Sequence, residues 1–388
     1  MNASPNTLVH GPLPSSPSRY LGTMNHRCLT PIHKTERLPA TLLHAIAFTT
    51  GSNSDRLSIK NGGQRMKRRE FLAAFGTATA WSWSGHAQPS MRRYRIGILD
   101  TTSRPLNANF GALQQGLLER GYVEGQNLTF DYRSANGGNE NFEALARELV
   151  RLNVDVIVTR GTPAALAAKA ASSTIPVVMA AAGDPMAIAR TPARPAENLT
   201  GFGASAQGAE GRRLELLLHM LPRVTRIAAL LNLSNPSRRS EWSEIEARAH
   251  SLGVAAEVLD TRTVADIERS FDVASRSQVD ALVVGSDTLM QTHQSLVVGL
   301  AASHRLPAIY TFGDFVHAGG LASYGVSLPD LYRRAADYVD RIFKGARPKE
   351  LPIEQPTRFE VVINLRAATA LGLTVPSAIL SDAAEVIQ

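Results

Sequence analysis

The feature that most constrains this chain is an alternation of short apolar runs with segments of helical period, sustained from Tyr94 almost to the C-terminus. Tyr94–Asp100 is a run of the length that a strand buried on both faces needs, and Phe110, Leu113 and Leu117 then recur at helical spacing. Residues 128–133 read as a strand, and Phe142, Leu145, Ala146, Leu149 and Val150 mark one face of a helix. Strands follow at 154–159, 175–181 and 199–204, with a helix at 163–171. A second series places helices at 214–221, 242–252, 264–275 and 289–304 between strands at 226–233, 254–259, 279–285, 308–311 and 321–325. Such alternation folds as doubly wound parallel sheets with right-handed crossovers, and two series predict two α/β lobes. The tail adds a helix face of Leu331, Ala335, Tyr338, Val339 and Ile342 and a strand at 359–365, which fit either lobe.

With 388 residues and 44% hydrophobic content, the chain can build two cores. Its net charge of +7 would point to nucleic acid or an anionic membrane if it were spread over the fold. It is not. Residues 1–87 hold ten Lys/Arg and three acids, which accounts for the whole excess, and the remaining 31 basic and 31 acidic residues balance. A neutral body has no footprint for a phosphate backbone, so no nucleic-acid partner is expected. The single cysteine, Cys28, also precedes the body, which excludes disulfides, thiolate metal sites and a Cys nucleophile there.

Residues 66–87 form an address. Met66-Lys67-Arg68-Arg69-Glu70-Phe71-Leu72 opens it, an Ala-rich stretch follows, and Gly85-His86-Ala87 supplies a small-x-small cleavage site. The Arg pair before Glu-Phe-Leu resembles a twin-arginine signal, with a Sec signal as the alternative. Cleavage after about Ala87 would leave a periplasmic protein. Residues 1–65, rich in Ser, Pro, Thr, Asn and His without any period, read as disordered or as an extension upstream of a start at Met66.

Open α/β sheets bind ligands beyond the carboxyl ends of their strands. Three strand ends here run into Gly161-Thr162-Pro163, Gly183-Asp184-Pro185 and Ser234-Asn235-Pro236, each pairing a helix-capping residue type with a Pro suited to the first helical turn. A fourth reads Gly285-Ser286-Asp287-Thr288, and the first strand ends in Asp100-Thr101-Thr102-Ser103. Each of these residues alone can be a simple cap. Together they predict a ligand site in which Thr102, Thr162, Asn235 and Thr288 offer polar groups, helix N-termini take an anionic group, and Asp184 or Asp287 takes a cationic one. Tyr310, Phe312 and Phe110 would supply apolar walls.

Enzyme signatures are missing: the five body histidines (His219, His250, His293, His304, His317) make no ligand spacing, and there is no G-x-G-x-x-G after the first strand, no Walker loop and no G-x-S-x-G. No cofactor, metal or catalytic residue is therefore expected.

The segments Gly121-Tyr122-Val123-Glu124-Gly125-Gln126-Asn127, Gly161-Thr162-Pro163-Ala164-Ala165, Gly183-Asp184-Pro185, Asn198-Leu199-Thr200-Gly201, Arg213-Leu214-Glu215-Leu216-Leu217, Pro307-Ala308-Ile309-Tyr310, Ala318-Gly319-Gly320-Leu321 and Pro356-Thr357-Arg358-Phe359-Glu360 come in an order and spacing that resemble the ABC-transporter substrate-binding family of tryptophan- and tyrosine-type uptake receptors. The one departure is residues 193–198, where the family usually has a Pro-Gly-Gly-Asn type turn. The resemblance implies a type I periplasmic-binding-protein fold: two doubly wound parallel-sheet lobes joined by a three-segment hinge, with a small ligand, an amino acid or related carboxylate, in the cleft. It puts one lobe at 92–206 plus 326–348 and the other at 207–325 plus 349–388, with crossovers near 204–207, 325–328 and 348–352. It also points to Thr162, Asp184, Asn235, Asp287 and Tyr310 as site residues, to an ABC permease as partner and to a monomer. A ligand-binding sensor of the same fold is the alternative, followed by a regulator's effector domain and an α/β enzyme using Asp184.

Overall fold

The computed structural model describes residues 92–104, 108–190 and 196–388. The export signal, the extension before it and residues 193–195 of the atypical turn lie outside the described residues.

The chain runs β1 (Tyr94–Asp100), α1 (Ala108–Leu118), β2 (Leu128–Ser134), α2 (Phe142–Arg151), β3 (Val156–Arg160), α3 (Thr162–Ala171), β4 (Val177–Ala182), α4 (Pro185–Arg190) and β5 (Leu199–Gly203). It continues through α5 (Ala209–Met220), β6 (Arg226–Leu231), α6 (Pro236–Ser251), β7 (Ala255–Asp260), α7 (Val264–Arg276), β8 (Ala281–Val284), α8 (Thr288–Thr292), α9 (Gln294–Ser303), β9 (Ala308–Tyr310), α10 (Gly313–His317) and β10 (Ala322–Gly325). It ends with α11 (Leu328–Phe343), β11 (Ile353–Glu354), β12 (Glu360–Asn364), α12 (Leu365–Ala370), α13 (Ser377–Asp382) and β13 (Glu385–Ile387).

Two sheets organise these elements. The first has the order β11-β5-β4-β3-β1-β2 and is parallel throughout. The second, β13-β12-β10-β9-β8-β6-β7, is parallel except where β12 runs antiparallel to β10. Strands β3 and β4 are buried at every residue, which is why they read as unbroken apolar runs. Helices cover both faces of each sheet. In the first lobe one core gathers α1 and α11 over Ile96, Ile98, Val156 and Val178, and the other gathers α2 and α3 over Leu99, Ile157 and Met179. In the second lobe Leu214, Leu217 and Ile245 close one face and Ile267, Phe271 and Val297 the other.

The chain crosses between lobes three times: at 204–207, at 326–327 and at 355–359. The sequence analysis puts crossovers near 204–207, 325–328 and 348–352. The third is a correction, because the segment 348–352 stays with the first lobe. Ile353 and Glu354 add a parallel strand against Gly201 and Phe202. The Thr200 hydroxyl lies 3.1 and 3.0 Å from the carbonyls of Leu351 and Pro352, and the Tyr338 hydroxyl donates to Glu354 at 2.6 Å. The first lobe thus keeps residues 326–354. The expected helix at 289–304 is also divided, with His293 leaving helical geometry (ψ 29°) between α8 and α9.

Candidate functional site

The carboxyl ends of both sheets face one another across a cleft. It is lined from the first lobe by Thr101, Arg160, Thr162 and Gly183, and from the second by Asn235, Ser237, Arg238, Asp287, Thr288 and Phe312, among others. Each polar group arrives there for a local reason. Gly161 adopts φ +85° as β3 ends, which turns the chain sharply into α3 and brings Thr162 to the lip. The Thr162 hydroxyl accepts from the Gly183 backbone N–H at 3.2 Å and donates across the gap to Ser237 Oγ at 3.3 Å. Gly183 permits this approach, since a Cβ there would sit 2.7 Å from Ser237 Oγ. Asn235 caps α6, accepting from Ser237 N, and also takes the Ser237 hydroxyl at 2.9 Å.

Asp287 caps α8 by accepting from Met290 N at 3.1 Å through Oδ1, while its Oδ2 has no hydrogen-bond partner. Thr288 Oγ1 and Arg238 Nε are likewise buried without a partner. Burial pushes the Asp287 carboxyl above the usual range, against the Met290 N–H and the charge of Arg238, which pull it down. Arg238 pairs through Nη1 with Glu241, which also meets Arg213; Arg213 in turn holds Glu210 and donates from Nε to the Tyr324 carbonyl at 3.0 Å. Burial, and secondarily the charge of Glu210, raises Glu241 to about 8. Arg160 reaches Gln291 Oε1 at 2.8 Å.

Of the residues singled out from sequence, Thr162, Asn235, Asp287 and Thr288 meet in this cleft. Asp184 is exposed in an adjoining chamber of about 360 Å³, shared with Arg238, Glu210 and the crossover residues Gln207 and Gln355, where it caps α4 through Ala187 N. Three expectations need correction. Tyr310 is 1% exposed, stacks on Phe315 at 5.0 Å and lines a different cavity of about 450 Å³ with Val298, Leu306 and Leu321. Thr102 is not among the residues lining the cleft, where Thr101 stands instead; the Thr102 carbonyl takes the Tyr132 hydroxyl at 2.9 Å and its own hydroxyl is buried without a partner. Phe110 packs on Phe130 and Tyr132 inside the first lobe, leaving Phe312 as the aromatic wall.

Sequence reasoning missed Arg160, Ser237, Arg238 and Gln291. One signal was available for the first: a cation ending a strand that is otherwise apolar.

The cleft encloses about 40 Å³, room for a few waters and far below the roughly 300–1,000 Å³ of ordinary ligand pockets. Here the lobes are in direct contact, through Thr162 to Ser237 and Arg160 to Gln291, while the chamber beside Asp184 stays open. Among the described residues no group of three or more His, Cys, Asp or Glu could hold a metal, and no helix is long and apolar enough to cross a membrane.

Residues 96–387 match the model of a family described as ABC transporter substrate binding protein. A tyrosine-binding protein of Clostridioides difficile is 23% identical over 287 residues, covering 73% of this chain and 82% of that protein. Among solved structures, a conserved domain protein of Vibrio cholerae superposes with TM-score 0.70 at 27% identity, and an ABC domain of Streptococcus pneumonia in complex with L-Trp with TM-score 0.69 at 28%. Each covers 76% of this chain and 100% of its own.

Proposed function

The chain belongs to the ABC transporter substrate-binding protein family, and from that premise we propose that it is an exported receptor which closes on a free amino acid and presents it to an ABC permease. The family binds and delivers; it does not catalyse. One observation carries the choice of ligand class: Asp287 Oδ2, Thr288 Oγ1 and Arg238 Nε are buried without partners on residues of a single cleft. Buried polar groups are nearly always satisfied, so an orphaned acceptor beside an orphaned donor is what a zwitterion would complete. Asp287 then takes the ammonium group, and Arg238 with the N-terminus of α3 takes the carboxylate. The names of the relatives, one tyrosine-binding and one holding L-Trp, support the same class.

Opening at the three crossovers admits the ligand, and contacts made only when both lobes meet it shift the population to the closed form. The signal-like segment at 66–87 supports export to the periplasm, by a twin-arginine or Sec route.

A thermal-shift panel of the common amino acids, with L-tyrosine and L-tryptophan included, tests the reading. A ligand at a hundredfold its Kd adds about 2.7 kcal/mol, which raises Tm by roughly 5–10 °C. If no amino acid moves Tm at millimolar concentration, the proposal fails.

A further inference from the structure

We propose that Arg160 is a positioning residue for ligand binding: its guanidinium crosses the gap between lobes and holds them closed, so that it sets ligand affinity through closure. The inference deepens the reading of the chain as a closing receptor and rests on it.

The argument starts from placement. Arg160 ends β3, a strand with no exposed residue, and is itself 5% exposed. A guanidinium cannot shed its charge in a protein, so hydration lost on burial must be replaced by partners. The first lobe replaces only part of it. Asp100 Oδ1 lies 3.9 Å away and already accepts the Thr101 N–H at 2.7 Å, while Asp100 Oδ2 takes the Tyr332 hydroxyl at 2.5 Å. The short hydrogen bond of Arg160 goes to the other lobe, from Nη2 to Gln291 Oε1 at 2.8 Å. Asp314, also of the second lobe, stands 3.9 Å off and accepts from Asn109 of the first lobe at 3.1 Å. Close by, the Thr292 hydroxyl donates to the Thr101 carbonyl at 3.2 Å. Several contacts between the lobes thus gather around one buried cation.

Gln291 is oriented for this role. Its amide NH2 donates to Ser286 Oγ at 2.5 Å, which leaves its oxygen facing Arg160. Ser286 and Gln291 flank Asp287 and Thr288 on the same turn and short helix, and all four line the cleft. A ligand held by Asp287 and a tie made through Gln291 therefore bear on one element. Opening removes Gln291 and Asp314 from Arg160 together, and ligand binding to that turn and the tie each favour the same closed arrangement.

The test needs no ligand for its first arm. The body has no native thiol, so Glu140→Cys and Ser295→Cys, introduced into the full chain with Cys28→Ser, carry spin labels on opposite lobes beside the point where Gly137 meets His293. Pulsed electron–electron distances are compared for the parent, Arg160→Met and Gln291→Met. The second substitution leaves Arg160 and Asp100 together, which covers the case in which the first does not fold. Both variants are expected to shift weight to longer distances, and Arg160→Lys to restore part of the short population. For whichever of L-tyrosine or L-tryptophan binds the parent, calorimetry should show affinity at least tenfold lower in both, and stopped flow should show faster dissociation. A role in fold stability alone would lower Tm without lengthening the distance. Unchanged distances in folded variants overturn the proposal. Longer distances in a protein that binds no amino acid uphold the tie and discard the ligand assignment instead.

Discussion

Asp287 shows how far a single residue can be read. Its side chain caps α8 with one oxygen and leaves the other without a hydrogen bond, so the cap and the proposed ligand contact are compatible. Asn caps a helix as well as Asp does but brings no charge. Asp287→Asn is therefore expected to keep the fold and to weaken ammonium recognition by about 1.5–3 kcal/mol, roughly 10- to 100-fold in Kd. Stability should move the other way with pH. Burial raises the folded pKa of Asp287 above its unfolded value, so the parent's advantage exists at low pH and is lost as pH rises through the raised value. Melting curves at pH 4 and pH 8 should show the Asn variant gaining on the parent as pH increases; a constant difference would refute the assignment. What was legible is the cap, because an Asp between a strand end and a helix start suits an N-cap; its place in the cleft needed the other strand ends beside it. Tyr310 was misplaced because a strand end fixes which edge of the sheet a residue reaches but not which face it points to: its ring turns into the helix-covered face, and Thr311 and Phe312 beyond it reach the cleft. Arg238 was missed because its burial arises from long-range packing, which local pattern does not carry; Arg160 left a local trace, as the cation ending an apolar strand, but its partner across the gap did not.

At the scale of elements, the alternation of strand and helix was readable wherever a strand is buried on both faces, as in β3, β4 and β8. It failed where an element is too short to show a period: β11 has two residues, and α10 has five. The third crossover, which the resemblance put near 348–352, falls several residues later because the two-residue β11 holds that segment on the first sheet. The second crossover is more tightly specified. At Gly325, which ends β10 as the chain leaves the second lobe, a Cβ would sit 1.7 Å from the Thr311 carbonyl oxygen, a backbone atom that cannot step aside. Gly325→Ala should therefore cost about 3 kcal/mol or more in urea denaturation, the upper end of ordinary overpacking. Gly299, exposed in α9 with nothing within 4 Å of its would-be Cβ, is the control. Gly299→Ala should stabilise by about 0.5–1 kcal/mol through helix propensity. Equal effects at the two sites would mean that the hinge backbone is looser than its geometry implies.

For the whole molecule, the decisive quantity is the enclosed volume. The cleft at the strand ends holds about 40 Å³, too little for an amino acid, while the adjoining chamber by Asp184 holds about 360 Å³, so a ligand that is to reach Asp287 and Thr288 requires a step in which the lobes part or come together around it. The body's balanced charge argues the same way about rate. With 31 basic and 31 acidic residues after position 87, no net field draws in a zwitterion, and encounter follows diffusion without steering. Stopped-flow measurements should then show an observed rate that levels off with ligand concentration, at the rate of lobe movement, on the microsecond-to-second scale of hinge and lid motions. The plateau should change little between low and moderate salt, since screening has little long-range attraction to remove. Arg160 connects this plateau to the residue scale: weakening its hold on Gln291 should raise the opening rate and carry the plateau with it. A rate that climbs linearly to millimolar ligand would mean that the cleft stands open throughout binding, and that the contacts between Arg160, Gln291 and Asp314 form too late to govern it.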